Sequence, residues 1–219
     1  MQAVILAGGR SKRLGGVPKA GLLVGGATLL ARTVDAAAAV VGAEGDPEAT
    51  GATAAVRIAV VGPVQEAWSK DPAHAPHVQL VREDPPFAGP AAGIAAGMAA
   101  LAGEQGHVLV LACDMVRVGE LAQLLASELL GCGPLEGVMA VDGGRRQPLA
   151  AIYPVAPLRA AIAEARAAHR LQNASVFSLL ATVKLRECAV PAGLTADIDT
   201  WDDARMHGIG RTGHVNRLV

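Results

Sequence analysis

Four cations and two adjacent glycines crowd one short stretch, Gly8-Gly9-Arg10-Ser11-Lys12-Arg13-Leu14-Gly15, closed by Pro18-Lys19. The stretch follows Ala3-Val4-Ile5-Leu6-Ala7, an apolar run that reads as a buried first strand. Such a strand end is suited to an anion. Glycines leave backbone N–H groups uncovered for close approach to an oxyanion. Arg10, Lys12, Arg13 and Lys19 add charge-assisted donors of the kind a polyphosphate takes. A glycine turn beside a solvated basic face is the plainer account, but it leaves four cations unexplained in a chain with 18% charged residues. Two commoner phosphate loops are excluded. A P-loop needs a lysine directly after its second glycine and then a hydroxyl, and a dinucleotide fingerprint needs G-x-G-x-x-G. Neither spacing occurs between Gly8 and Ala20.

Carboxylates stand at other expected strand ends. Asp114 closes Val108–Cys113, where a hard oxygen ligand suits magnesium; capping of the following helix is the competing use. Asp197 and Asp199 alternate on an extended run and so point to one side. Thr200 before Trp201-Asp202-Asp203 is a plausible helix N-cap with acidic residues in the first turn. Asp84 lies in the turn that leads to Gly89-Pro90, with proline near a first helical position. The run Asp142-Gly143-Gly144-Arg145-Arg146-Gln147-Pro148-Leu149 reads either as a loop facing an acceptor molecule or as a basic hairpin turn.

The elements that must position these residues alternate. Strand-like runs fall at Gln2–Leu6, Val56–Val61, Val78–Arg82, Val108–Cys113, Gly137–Val141, Leu149–Tyr153 and Val183–Cys188. Helix-like runs fall at Thr28–Val41, Ala91–Ala102, Val118–Leu130 and Ala156–His169, with a short one from Asp202. The alternation, and continuous runs such as Val108-Leu109-Val110-Leu111, imply an α/β fold. The expected form is a single doubly wound, Rossmann-like, largely parallel sheet with helices on both faces. A ligand would then sit beyond the C-terminal strand ends. Residues 1–205 read as one domain and 206–219 as a flexible tail. Gly42–Ala55 reads as a mobile insertion and Ser69–His77 as a second polar loop.

Composition removes several classes. An aromatic share of 2% and a net charge of −1 argue against a nucleic-acid surface. Cys113, Cys132 and Cys188 lack C-x-x-C spacing and read as thiols of a reducing cytoplasm. The six histidines form no local metal pair. The first apolar stretch is too short for a signal peptide and lacks a basic start. Pro85–Gly103 carries no charge and has Gly89, Gly93 and Gly97 at four-residue spacing, a pattern of membrane helix pairs. Its prolines and alanines favour a soluble helix packed closely on a sheet.

The pattern L-A-G-G-x-S-x-R-L-G-x-x-x-K resembles the signature of nucleotidyltransferases, and within them most nearly the molybdenum cofactor guanylyltransferases. The resemblance extends to Asp84 with Gly89-Pro90, to Cys113-Asp114 and to Asp197–Asp203, from residue 2 to about 204. It implies transfer of GMP from GTP to the terminal phosphate of molybdopterin, with Mg2+ and release of pyrophosphate. Other NTP transferases, such as cytidylyltransferases and sugar-phosphate enzymes, remain open, as does a non-catalytic nucleotide binder. So does contact with proteins that deliver or accept the cofactor. On this resemblance Arg13, Lys19 and Asp114 are catalytic, and Leu6, Ala7, Gly8, Gly9, Asp84 and Gly89 join them around the nucleotide. Asp114 and Asp199 would hold the metal, while Arg146, Gln147 and Asp197 would face the acceptor. Three departures stand out: Val116 and Trp201 replace prolines, and no Asn follows Val61.

Overall fold

The computed structural model describes residues 1–9, 11–42, 57–63 and 77–209, without the side chain of Lys12. Arg10, Val56, the expected insertion beyond Gly42, residues 69–76 of the polar loop and the chain after 209 lie outside the described residues.

The chain begins with β1 (Gln2–Leu6), followed by two single-turn 3₁₀ segments at Lys12–Leu14 and Lys19–Gly21. A small hairpin of β2 (Leu23–Val24) and β3 (Ala27–Thr28) leads into α1 (Leu29–Gly42). Next come β4 (Ile58–Val61), β5 (Val78–Val81), α2 (Pro90–Ala100), β6 (His107–Ala112) and α3 (Val118–Leu129). The remainder is β7 (Gly137–Asp142), β8 (Arg145–Pro154), α4 (Val155–Ala167), α5 (Val176–Leu179), β9 (Leu185–Ala189) and α6 (Trp201–Met206).

The main sheet has seven strands in the order β5-β4-β1-β6-β8-β7-β9. Only β8 runs against the others. Its reversal has a local cause. Gly143 and Gly144, with φ of 54° and 78°, make the two-residue turn of a β7–β8 hairpin, too short for a parallel crossover. The basic run after Asp142 is thus a hairpin turn.

Alternation along the central strands feeds both faces. Ala3 and Ile5 join the core under α1 and α3, whereas Val4 joins the core under α2, α4 and α5. Likewise Leu109 and Leu111 face one side, and Val108 and Val110 the other. Full burial of each valine, leucine or isoleucine among them stabilises by roughly 1.5–3 kcal/mol. With few aromatics, small residues set the spacing. A Cβ on Gly97 would lie 2.5 Å from Val4 Cγ1, so α2 can rest on β1 only with glycine there. The glycine spacing of this stretch therefore serves sheet packing, and no helix among the described residues is long and apolar enough to cross a membrane.

A third, small cluster lies apart from the sheet faces: Leu14, Leu22, Leu29, Ile198, Ala204 and Ile209, with Val17, Val24, Val116 and Trp201 packed against it. It joins the segment after β1 to the segment around α6. Ile209 is buried there and its N–H reaches Ala204 O, whereas Met206, His207 and Gly208 are exposed.

Candidate active site

The chain moves from β5 at one sheet edge back to β6 beside β1, and a crevice opens where these paths diverge. A cleft of about 640 Å3 fills it. Leu6, Ala7, Gly8 and Gly9 line it from β1, Val61 and Pro63 from β4, and Ala112, Cys113 and Asp114 from β6. Ladder bonding continues into these loops through Ala7 N–H to Val61 O (2.8 Å) and Cys113 N–H to Leu6 O (3.1 Å). The glycine loop is therefore held at its base. Beyond it, a Cβ built on Gly9, Gly15 or Gly16 would meet nothing within 4 Å, so this side of the loop is open.

Two stretches bring three carboxylates together. Asp114 O accepts from Ile198 N–H at 3.1 Å, and Val116 N–H reaches Ala196 O at 3.4 Å. This antiparallel bridge sets Met115 opposite Asp197. One carboxylate oxygen each from Asp114, Asp197 and Asp199 then lies within 4.8 Å of the others. Asp199 is fixed from behind as well. Thr200 caps α6 through Asp203 N–H, and Asp203 Oδ2 accepts from the backbone N–H of Thr200 (2.7 Å) and Asp199 (3.1 Å). The capping role belongs to Thr200 and Asp203, which leaves Asp199 to the cleft. Asp114 caps nothing: Arg117 is the N-cap of α3 and has no side-chain cap bond.

Cations answer this negative cluster. Lys19 Nζ donates to Asp114 Oδ2 at 2.8 Å and to Asp199 Oδ1 at 2.5 Å. Arg13 Nη1 reaches Asp199 Oδ2 at 2.7 Å. Burial works against the charge on Lys19, but its bonds to Asp114 and Asp199 and their charges outweigh this and raise its pKa above the ordinary lysine value. Asp197 has no such partner; desolvation, then the charges of Asp114 and Asp199, push its carboxyl up. Neighbouring Cys113 is buried, and burial pushes its thiol up, which disfavours the thiolate that a nucleophile needs. Three hard oxygen donors, two of them already gathered around one positive charge, fit a divalent cation.

The structure places most of the expected residues at this cleft: Leu6, Ala7, Gly8, Gly9, Arg13, Lys19, Gly89, Asp114 and Asp199 line it, and Asp197 joins at the carboxylate cluster. Others lie elsewhere. Asp84 lines a separate cleft, and the acidic residue of that turn at the candidate site is Glu83. In the signature that the chain resembles, D-x-x-x-x-x-G-P, five residues separate the acidic residue from the glycine, as they do Glu83 from Gly89, and only four separate Asp84 from it. Arg146 is on the exposed hairpin, where Nε meets Glu187 at 2.5 Å. Neither it nor Gln147 lines the cleft; from that strand only Leu149 does. Pairing of β7 with β8 shifts register between Met139 and Ala140, which passes over residues 148–150 and accommodates Pro148. A Cβ on Gly62 would sit 2.8 Å from Ala7 C, so glycine there lets the β1 and β4 loops touch. Ser11, the serine of the L-A-G-G-x-S-x-R pattern, also lines the cleft, as does Phe87, which was not singled out by type or spacing.

Comparison with known proteins gives the family and the fold. The profile of the MobA-like NTP transferase domain matches residues 3–183. The chain belongs to this family. A molybdenum cofactor guanylyltransferase of Pseudomonas fluorescens (strain SBW25) is 38% identical over 125 residues, which is 56% of this chain and 60% of the relative. Another, from Rhizobium meliloti (strain 1021), is 32% identical over 164 residues, 70% of this chain and 63% of the relative. The matches thus span somewhat less than two thirds of these relatives. Among solved structures, molybdopterin-guanine dinucleotide biosynthesis protein A of Archaeoglobus fulgidus shares the fold with a TM-score of 0.62 at 17% identity, covering 94% of this chain and 96% of that one. The 2-C-methyl-D-erythritol 4-phosphate cytidylyltransferase of Thermus thermophilus does so with 0.57 at 21% identity, covering 94% and 97%. The doubly wound fold and the NTP transferase family are therefore those read from the sequence.

Proposed function

We propose that this chain transfers GMP from GTP to the terminal phosphate of molybdopterin, with magnesium and release of pyrophosphate. The observation that carries the reading is the Lys19–Asp114–Asp199–Arg13 constellation beside the open glycine loop. The two curated relatives, both named molybdenum cofactor guanylyltransferase, support the choice of acceptor and nucleotide.

An acceptor phosphate is already anionic near neutral pH, so attack on the α-phosphorus needs no strong general base. What the reaction needs is orientation, charge neutralisation and a stabilised leaving group. Asp114 and Asp199, with Asp197 beside them, would hold the magnesium ion. Bound there, magnesium would supply charge neutralisation at the reacting phosphates. Lys19 and Arg13, released from carboxylates so compensated, would hold phosphate oxygens together with Gly8 and Gly9. The Glu83 carboxylate, which accepts from Phe87 N–H at 3.0 Å, could also accept from the N1–H and N2–H edge of guanine. Cytosine offers a donor too, its N4–H2, so the choice of GTP over CTP rests on the names of the two relatives.

The test is pyrophosphate release from GTP, CTP, ATP and UTP with molybdopterin as acceptor in magnesium. GTP should be preferred. A preference for CTP would transfer the assignment to a cytidylyltransferase, and release with no triphosphate would sink the enzymatic reading.

A further inference from the structure

Arg32 lies in the first turn of α1, is half-buried and does not line the cleft. Its Nη2 donates to Val116 O at 3.2 Å, and its buried Nε meets no acceptor among the described residues. A buried guanidinium nitrogen left unbonded costs free energy, so the remaining contact is retained against that cost. Val116 is two residues from Asp114, in the turn stitched to Ala196 and Ile198. The other end of the contact is tied to the Lys19 segment. Leu29 N–H, at the start of α1, bonds Leu22 O at 2.9 Å, and Leu22 N–H bonds Lys19 O at 3.0 Å. Arg32 therefore spans the two pieces of chain whose side chains form the Lys19–Asp114 ion pair.

We propose that Arg32 is a positioning residue, which sets the Asp114 turn at its distance from Lys19 by holding the carbonyl of Val116. Proline at 116 would stiffen this turn through its fixed φ but would carry no N–H for Ala196. Valine keeps that donor and leaves the backbone free to rotate. The clamp on its carbonyl supplies the missing restraint. This role rests on the nucleotidyltransferase reading, in which Asp114 holds the metal.

The test exploits a sign. Taking a positive charge away from near a cation site should by itself tighten a divalent ion, whereas loss of a positioning contact should loosen it. Mn2+ alone is titrated into the full chain by electron paramagnetic resonance of the free ion, with thermal melting alongside. Arg32→Met should weaken Mn2+ binding by about tenfold or more, in line with an outer contact around metal ligands. Arg32→Lys, which keeps a donor, should recover most of the loss. Arg32→Gln, neutral and too short to reach, is held to the same criterion should the methionine variant fail to fold. Unchanged or tighter binding in the neutral variants overturns the proposal, as does a lysine variant no better than they are. Asp114→Asn serves as the control. If Asp114→Asn keeps full Mn2+ affinity, the metal-site reading fails and the Arg32 role with it. If only Asp114→Asn loses affinity, the Arg32 role alone fails.

Discussion

α2 stands between two clefts of similar size and opposite character. The candidate site, about 640 Å3, takes Gly89, Pro90 and Gly93 from one flank of the helix. A second cleft, about 690 Å3, takes Ala92, Ala95, Ala96 and Ala99 from another. In the first, charged groups from segments far apart in sequence meet at 2.5–2.8 Å. In the second, Arg82, Asp84, Arg166 and His169 are all exposed, and among the described residues no ion pair joins them. Volume is thus a poor guide to chemistry. Convergence is informative because it is costly: three carboxylates within 4.8 Å repel one another unless cations answer them. A fold that maintains such a cluster must hold it through a backbone frame, here the Asp114–Ile198 bond and the Thr200–Asp203 cap.

The largest expected effect comes from breaking the convergent cleft at its centre. Asp114→Asn keeps shape and removes charge, so turnover should fall by ~10²–10³-fold, the scale of a lost electrostatic contact in a dry site. Melting should change little, because the backbone stitches of Asp114 are untouched. Pyrophosphate release and a thermal melt check both, and a wild-type rate would remove Asp114 from the site.

Lys19→Ala asks what the ammonium does. As a phosphate ligand it should matter in proportion to phosphate count, with a loss of ~10²-fold for GTP, less for GDP and none for guanosine. The variant also leaves Asp114 and Asp199 without the cation they share, beside Asp197, so magnesium should raise its melting temperature more than that of the wild type. Titration calorimetry and melting with and without magnesium test the two halves separately. Equal losses for nucleoside and triphosphate would mean that the loop has collapsed.

Much of this contrast was legible in the sequence, for identifiable reasons. Asp114 stands at the end of a continuous apolar strand, and such a position in a parallel sheet has one place to go. The first strand, Gln2–Leu6, needs no adjustment. Strand β8 was read too short, as Leu149–Tyr153, because Pro148 interrupts its pattern; the strand passes it in the register shift. β2, β3 and α5 hold two, two and four residues, too few to show any period. Glu83 was hidden by its neighbour Asp84, since one residue of offset exchanges the two clefts. Arg32 and the third cluster could not be found at all, because contacts such as Arg32 with Val116 join residues 84 apart without a local signal.

A smaller effect tests how the carboxylate segment is anchored from the hairpin side. Asp142 accepts from Thr195 N–H (3.0 Å), Thr195 Oγ1 (2.9 Å) and Gly193 N–H (3.1 Å), just before Asp197. The bond from Thr195 N–H, foremost, holds its carboxyl below the ordinary aspartate value. A carboxylate lowered in the folded state stabilises above its unfolded value, near 3.9, and that contribution disappears as pH falls through the lower folded value. Asp142→Asn should therefore cost about 0.5–1 kcal/mol at pH 7, allowing for solvent screening at this partly exposed site. The gap to wild type should close in acid, which urea unfolding at pH 7 and near pH 3 measures. A gap independent of pH would show that the charge of Asp142 is not what anchors the segment.

The smallest effect is expected in the second cleft, and there the comparison can be broken most cheaply. Arg166→Ala, alone or with Arg82→Ala, removes exposed cations from its rim. Surface substitutions of this kind shift stability by less than about 0.5 kcal/mol. Their field at the candidate site is cut down by salt, with a Debye length of about 8 Å at physiological ionic strength. GTP affinity should then stay within about twofold of wild type at physiological salt, and any difference should shrink further as salt is added. Suppose instead that the double variant binds GTP tenfold more weakly and that high salt does not close the gap. The loss could not then be assigned to long-range charge. The two clefts would have to be joined through α2 itself, and convergence in one of them would no longer suffice to describe how this protein would hold a nucleotide.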